Sequence, residues 1–165
     1  MLHNRAFIDG QNLHLGTSIN NWKVDLSRFR IYLKDKYNVS TAYYFIGFKN
    51  DIHAGLYRTI EQAGFQLVFR EHNEGMIGKK KGNVDTDIVF EICKGIMDRH
   101  AFSKVVLVSG DGDYKKLVHY LIQRGRFLKV LFPNHRFASS LYKSLPEYCV
   151  ALDASDIRQK IEILK

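Results

Sequence analysis

The sequence predicts an α/β fold in which a central, mostly parallel sheet is covered by helices on both faces. Strand-like and helix-like apolar patterns alternate along almost the whole chain of 165 residues, as is typical of right-handed strand–helix–strand crossovers. The length and a hydrophobic content of 45% fit one domain with its own core. No linker, repeat or low-complexity tract interrupts the pattern, so residues 1–165 are expected to form a single domain.

The first strand and the first helix are predicted from two short stretches. RAFIDG is an apolar run that stops at Gly10, as strands commonly do. In VDLSRFRIYLKDKY the apolar residues recur at roughly helical spacing. We therefore expect a strand that ends near Asp9, followed by a helix that begins near Val24.

The same two patterns recur through the rest of the chain. Further strands are predicted, in order, at STAYYFIGF, FQLVFRE, KVVLVSG, FLKVLF and CVAL, which are short apolar runs bounded by turn residues. Helices are predicted at HAGLYRTIEQAG, DTDIVFEICKGIMDRH, YKKLVHYLIQRG, SSLYKSL and ASDIRQKIEIL, and Gly64 and Gly125 close two of them. The segment Glu71–Asn83 fits neither pattern and is expected to be a loop rich in glycine and lysine.

Charge and cysteine content narrow the class of protein. A formal net charge of +8 favours polyanionic partners, with nucleic acid ahead of a membrane surface, although a basic protein that is merely soluble fits the charge equally well. No apolar run is long enough for a membrane span, and MLHNRAFIDG lacks the apolar region of a signal peptide. Cys93 and Cys149 cannot form a disulfide framework, so free buried thiols in a reducing cytoplasm are expected.

Carboxylates stand where predicted strands end. Asp9 closes the first strand, Asp111 and Asp113 follow KVVLVSG, and Asp85 begins the helix before that strand. Ligands of open parallel sheets bind beyond the carboxyl ends of the strands, so all four acids are expected at one edge. Carboxylates that converge there repel each other unless a cation neutralises them, and a hard ion such as Mg²⁺ or Mn²⁺ accepts oxygen ligands.

Helix capping is the competing explanation for two of these acids. Asp85 and Asp113 directly precede predicted helices, where aspartate is a favoured N-cap, and either one alone is more simply a cap than a ligand. Asp9 and Asp111 do not stand at obvious helix starts. The metal interpretation therefore depends on several of these acids converging at one edge.

Other kinds of site fit less well. An EF-hand that starts at Asp111 needs an acid where Ile122 stands, and neither GDGDYK nor GMIGKKKG has the glycine spacing of a dinucleotide turn or a P-loop. Zinc is disfavoured because the cysteines have no nearby ligand partner. No Ser or Cys nucleophile stands out, and Ser109 is interpreted as a hydroxyl that supports the carboxylates.

Three motifs in order resemble the NYN domain family, in its LabA-like branch within the PIN-like nuclease superfamily. They are FIDGQNL, KGNVDTDIVFEI and VVLVSGDGDYKKLV, with GRFLKVLF following, and the resemblance extends from about Phe7 to Asp153. It implies a Rossmann-like, PIN-type fold of three layers and a metal-dependent ribonuclease site. PIN-like relatives often pair, so a homodimer is one of the states that the sequence leaves open.

The resemblance also assigns roles residue by residue. Asp9 is similar to the acid after the first strand of the family, and Asn12 to the asparagine that supports it. Asp85 is similar to the acid of the middle motif, while Asp111 and Asp113 match the paired acids of the last motif.

The chain departs from the family pattern in two places. Gly112 stands where the family often has serine, which removes a hydroxyl but leaves both carboxylates. Pro146 and Glu147 stand where a helical Ala-Asp pair is common.

These observations suggest a phosphodiesterase that acts on RNA. Asp9, Asp85 and Asp111 would hold one or two divalent ions that activate a water and stabilise charge on the phosphate, and Asp113 would bind directly or through water. A non-catalytic module that binds RNA or a regulatory partner on the same fold is the main alternative. A metal-dependent phosphatase or a Toprim-like domain ranks lower, because Toprim sites need a glutamate where this chain has Asp9.

Basic and aromatic side chains are the candidates for RNA contact. Lys79, Lys80 and Lys81 on the glycine-rich segment could grip backbone phosphates, and a solvated run of charge explains them equally well. Tyr114, near a predicted strand end, could stack on a splayed base, although most aromatic residues at such positions belong to the core.

Overall fold

A parallel sheet forms the centre of the computed structural model, which describes residues 2–71 and 84–164. The strands are β1 (Asn4–Asp9), β2 (Val39–Ile46), β3 (Gln66–Phe69), β4 (Val105–Val108), β5 (Phe127–Phe132) and β6 (Cys149–Ala151). All six predicted strands are confirmed, and every adjacent pair is parallel. The sheet is therefore wholly parallel within the described residues, and not only mostly so.

Strand order places the first strand next to the fourth. The order is β3-β2-β1-β4-β5-β6, so the chain builds outward from β1 on one side and then crosses to β4 on the other. The pairing aligns Ile8 with Val108, and this brings the carboxyl ends of β1 and β4 together. Such a reversal of strand order opens a crevice at the carboxyl edge, where ligands of doubly wound folds bind.

Helices cover both faces of the sheet. They are α1 (Gly10–Ser18), α2 (Leu26–Tyr37), α3 (Ala54–Gln62), α4 (Asp85–Met97), α5 (Lys115–Gln123) and α6 (Ser155–Ile161). One apolar cluster joins α1, α2, α3 and α6 to the sheet, and a second joins α4 and α5 to the opposite face. Successive residues of β1 alternate between the two clusters, with Ala6 and Ile8 in the first and Phe7 in the second. The predicted three-layer α/β architecture is confirmed.

The helix α1 was missed by the periodicity argument. Its sequence GQNLHLGTS has two glycines and only two large apolar residues, which is too few to show a helical stripe. Asp9 begins this helix, because its side chain accepts a hydrogen bond from the backbone amide of Asn12 at 3.0 Å. The expectation that Asp9 lies away from a helix start is therefore wrong.

The segment SSLYKSL is not an α-helix. Ser140–Ser144 forms a stretch of 3-10 helix, in which the Ser139 side chain accepts a hydrogen bond from the Leu141 amide. The following Pro146 begins another short turn, Pro146–Tyr148, so the segment never extends to a full α-helical ladder.

Two further expectations concern the cysteines and a membrane span. Cys93 and Cys149 are free thiols as predicted, but both are half-buried and not buried. None of the described helices is long and apolar enough to cross a membrane.

Candidate metal centre

Three carboxylates converge at the carboxyl edge of the sheet. Asp85, Asp111 and Asp113 each offer one oxygen, and these oxygens all lie within 4.8 Å of one another. Asp85 and Asp111 are half-buried and Asp113 is exposed, so the group, here called the acid cluster, opens to solvent on one side. Its donors are carboxylate oxygens alone, which are the ligands that Mg²⁺ and Mn²⁺ prefer.

The capping roles of the aspartates are the reverse of those expected. The side chain of Asp111 accepts a hydrogen bond from the Asp113 amide at 2.9 Å and caps the 3-10 turn Gly112–Tyr114. Val84, not Asp85, is the N-cap of α4, and Tyr114, not Asp113, is the N-cap of α5. The carboxylates of Asp85 and Asp113 therefore point into the acid cluster without serving as helix caps.

Asp9 lies beside the acid cluster. It is only 6% exposed, and with Asn12, Asp85 and Asp111 it lines an open cleft of about 330 Å³. Burial raises the pKa of Asp9 to about 6. The hydrogen bond from the Asn12 amide opposes this shift, and the charges of Asp85 and Asp111 reinforce it. A fourth carboxylate at this edge thus adds to a negative potential that favours a bound cation.

Tyr114 joins Asp9 to the acid cluster. Its hydroxyl lies 2.6 Å from Asp85 Oδ1 and 3.3 Å from Asp9 Oδ2 and donates to these carboxylates. Burial, with the charge of Asp9 next in importance, raises the pKa of Tyr114 far above its usual value, so the hydroxyl keeps its proton. The side chain is 0% exposed. The prediction that Tyr114 stacks on an RNA base is therefore wrong, because no base can reach its ring.

Asn12 and Ser109 fasten the backbone around the acids. The Gly110 amide donates to Asn12 Oδ1 at 2.8 Å, which ties α1 to the end of β4. The Ser109 hydroxyl, fully buried, accepts from the Asp111 amide at 3.1 Å. Both side chains thus position backbone next to Asp111, and Asn12, which was predicted to support Asp9, contacts that residue through its backbone amide.

Gly112 leaves a space that another side chain fills. A Cβ at this position would lie 2.9 Å from Leu141 Cδ1 and closer still to the Ser139 hydroxyl. The hydroxyl that a serine at position 112 would supply is therefore absent, and Ser139 occupies its place.

The predicted phosphate contacts Lys79, Lys80 and Lys81 lie outside the residues that the structure describes.

The sequence analysis missed a pair of polar residues near this edge. His135 Nδ1 lies 2.7 Å from Asp153 Oδ2, and the Asp153 side chain is only 4% exposed. Asp153 directly follows CVAL, the last predicted strand, so the strand-end argument that was applied to the other acids would have found it.

Comparison with known proteins bears on the family and on the fold. A family model described as NYN domain matches residues 6–153. The "Low amplitude and bright protein LabA" of Synechococcus elongatus is 24% identical over 165 aligned positions, which cover 94% of this chain and 86% of that protein. The crystal structure of a protein of unknown function from Vibrio parahaemolyticus superposes with a TM-score of 0.76 at 22% identity, covering 98% of this chain and 96% of that one. The structural similarity supports the fold.

Proposed function

Because the chain belongs to the NYN domain family of the PIN-like nuclease superfamily, we propose that it is a metal-dependent ribonuclease that hydrolyses phosphodiester bonds. The observation that supports this most directly is the acid cluster, whose three carboxylate oxygens lie within 4.8 Å of one another at the carboxyl edge of the sheet. Mg²⁺ and Mn²⁺ fit this donor set, since both take carboxylate ligands and retain water.

Asp85, Asp111 and Asp113 would hold one or two such ions, with Asp9 completing the ligand set. A bound ion lowers the pKa of an attacking water and offsets the charge that develops on the phosphate. The chain's own residues keep the acids in place: the Tyr114 hydroxyl spans Asp85 and Asp9, and Ser109 holds the backbone of Asp111. Asp113, the exposed member, stands at the entrance on the solvent side.

RNA is the proposed substrate for two reasons. The superfamily is one of nucleases, and the net charge of +8 favours a polyanion that must approach an acidic centre. Lys79, Lys80 and Lys81 stay part of the proposal as phosphate contacts, on their charge alone.

The test compares Asp111→Asn with Asp35→Asn, a matched change at an exposed aspartate of α2 outside the acid cluster. With Mn²⁺ and a labelled RNA, Asp111→Asn should lower turnover more than about 100-fold, because loss of a ligand costs more than loss of the groups that orient it. Its RNA affinity without metal should equal that of the parent, and Asp35→Asn should behave as the parent in both assays.

The same assay separates the alternatives. RNA binding without turnover in the parent protein, at millimolar Mn²⁺, would support the non-catalytic module and reject the ribonuclease. Release of phosphate from small esters with no RNA cleavage would favour the phosphatase. Cleavage that survives Asp111→Asn unchanged would show that the activity does not belong to this site.

A further inference from the structure

Three consecutive exposed residues lie beside the acid cluster. His135, Arg136 and Phe137 form one 3-10 turn after β5, here called the binding strip. Its backbone packs on Gly110, the residue before Asp111. A Cβ built on Gly110 would lie 3.6 Å from the Phe137 carbonyl oxygen, and the Ser139 amide donates to the Gly110 oxygen at 2.9 Å. The strip is thus continuous with the edge that holds the candidate metal ligands.

Buried polar groups hold the binding strip in place. Asn134, 2% exposed, donates to the Gly16 oxygen at 3.0 Å and accepts from the Arg136 amide at 3.0 Å. The buried Asp153 carboxylate accepts from the His135 amide at 3.2 Å and pairs with its ring. The outer edge of the imidazole and the Phe137 ring, which is 61% exposed, are therefore presented to solvent by an ordered turn. Ligands lose less entropy on binding to such preorganised groups.

The sequence around the strip is basic, and the Asp153 carboxylate that pairs with His135 is buried. From Pro133 to Leu145 the sequence contains a histidine, an arginine and a lysine but no Asp or Glu. Among residues 2–71 and 84–164, Arg136 forms no ion pair. An exposed aromatic ring with cationic neighbours is the surface on which single-stranded nucleic acids bind, because each base stacks its face and the cations contact the backbone. A duplex hides those faces.

We propose that His135, Arg136 and Phe137 bind single-stranded RNA, with one base stacked on Phe137 and the adjoining phosphates against Arg136 and His135. The proposal rests on the proposed ribonuclease function and adds to it a binding surface, along which unpaired RNA would reach Asp111. It also assigns base stacking to Phe137 in place of the buried Tyr114.

Phe90 provides a matched control. It is 59% exposed, almost as much as Phe137, but it lies on α4 and not on the binding strip, and Glu91 follows it in sequence. An effect of exposed apolar area alone would appear equally at both positions.

The experiment measures affinity without turnover. The background protein is Asp111→Asn, and Phe137→Ala and Phe90→Ala are each added to it. Fluorescence anisotropy in EDTA measures how tightly each protein binds a labelled, unstructured oligoribonucleotide and the blunt duplex of the same sequence. We expect Phe137→Ala to weaken single-strand binding at least about fivefold and to leave duplex binding unchanged. Phe90→Ala should bind both as the parent does. Phe137→Trp should retain single-strand affinity, whereas Phe137→Leu should lose it, because stacking requires the ring.

Several results would overturn the proposal: an equal loss in Phe90→Ala, an equal loss on duplex, or full affinity in Phe137→Leu. A Phe137→Ala protein that changes from dimer to monomer on a sizing column, with unchanged RNA affinity, would assign the strip to self-association instead. The binding assay needs neither metal nor cleavage. Ring-dependent binding in a protein that never cleaves RNA therefore rejects only the ribonuclease, and metal-dependent cleavage with ring-independent binding rejects only the strip.

Discussion

Tyr114 places one hydroxyl between two carboxylates of the candidate site, 2.6 Å from Asp85 and 3.3 Å from Asp9. A buried charge needs a donor, and here a single proton serves two acids from different elements of the fold. Tyr114 therefore holds the Asp85 and Asp9 carboxylates in position, and its ring is buried.

Tyr114→Phe removes this donor and keeps the ring in the core. We expect the protein to stay folded and its Mn²⁺ affinity to fall about 10- to 100-fold, the usual cost of losing a group that orients a metal ligand. Isothermal titration calorimetry measures the affinity, and circular dichroism checks the fold. Tyr148→Phe, which alters a half-buried tyrosine packed on Phe127, serves as the control. Equal Mn²⁺ affinity in a folded Tyr114→Phe protein would contradict the role.

At this scale the sequence predicted positions better than orientations. The strand-end argument pointed to Asp9, Asp111 and Asp113, because parallel strands bring their carboxyl ends together whatever the side chains do, and Asp85 was found at the start of the helix before β4. It did not predict which aspartates cap helices, and it did not predict that Tyr114 is buried. Whether a side chain caps a helix or turns inward depends on the backbone angles at one residue, and a short 3-10 turn leaves no periodic pattern in the sequence.

The junction of β1 and α1 sets the direction of Asp9. The chain turns from strand to helix at Gly10, where a Cβ would lie 2.6 Å from the Phe45 carbonyl oxygen and would overlap the Tyr44 ring. Backbone of β2 cannot withdraw without breaking its pairing with β1, so only glycine fits here.

Gly10→Ala should therefore destabilise the protein by about 1–3 kcal/mol or more, since overpacking against backbone is poorly relieved. Gly55→Ala is the matched control in α3, where nothing lies within 4 Å of the added Cβ, and it should be neutral or stabilise by about 0.4–1 kcal/mol. Urea denaturation measures both. A Gly10→Ala protein as stable as the parent would show that the junction can shift, and the direction of Asp9 with it.

Element boundaries were predictable where a pattern existed. The six strands and most helices were predicted from their apolar patterns. The start of α1 is instead marked by the capping side chain of Asp9. SSLYKSL does not form an α-helix, because Ser139 and Pro146 favour tight turns. Local hydrogen bonds decided these cases, and such bonds depend on the tertiary position of the segment.

For the whole molecule, the raised pKa of Asp9 links stability to pH. In the native state this pKa is about 6, against an ordinary value of 3.8, so between these limits the native state keeps a proton that the unfolded chain has released. In metal-free protein the free energy of unfolding should therefore fall as pH rises from about 4 to above 6, by about 3 kcal/mol from this residue.

Urea denaturation in EDTA at several pH values measures this trend. Asp9→Asn, which cannot ionise, should lack the Asp9 share of the decline and should be more stable than the parent at neutral pH. Mn²⁺ should raise the stability of the parent at neutral pH by mass action. Identical pH profiles for the parent and Asp9→Asn would exclude the buried charge as the cause.

The alternation of patterns was sufficient to predict a layered α/β molecule, but it did not specify strand order. Strand order depends on whether each crossover places the next strand on one side of β1 or on the other. The sequence pattern of a βαβ unit is the same in both cases. The position of the site between β1 and β4 therefore became visible only in the folded chain.

The pairing of β1 with β4 also has a consequence for biosynthesis. Asp9 and the Asp111–Asp113 pair are separated by roughly a hundred residues of chain, and Gly110 is bound to Asn12 across that distance. Contacts of such long range form late, because a large loop must close first. A ribosome that translates this sequence must therefore release β4 before the acids can meet. If the chain cuts RNA as proposed, it does so only after β4 and the acids that follow it have been translated.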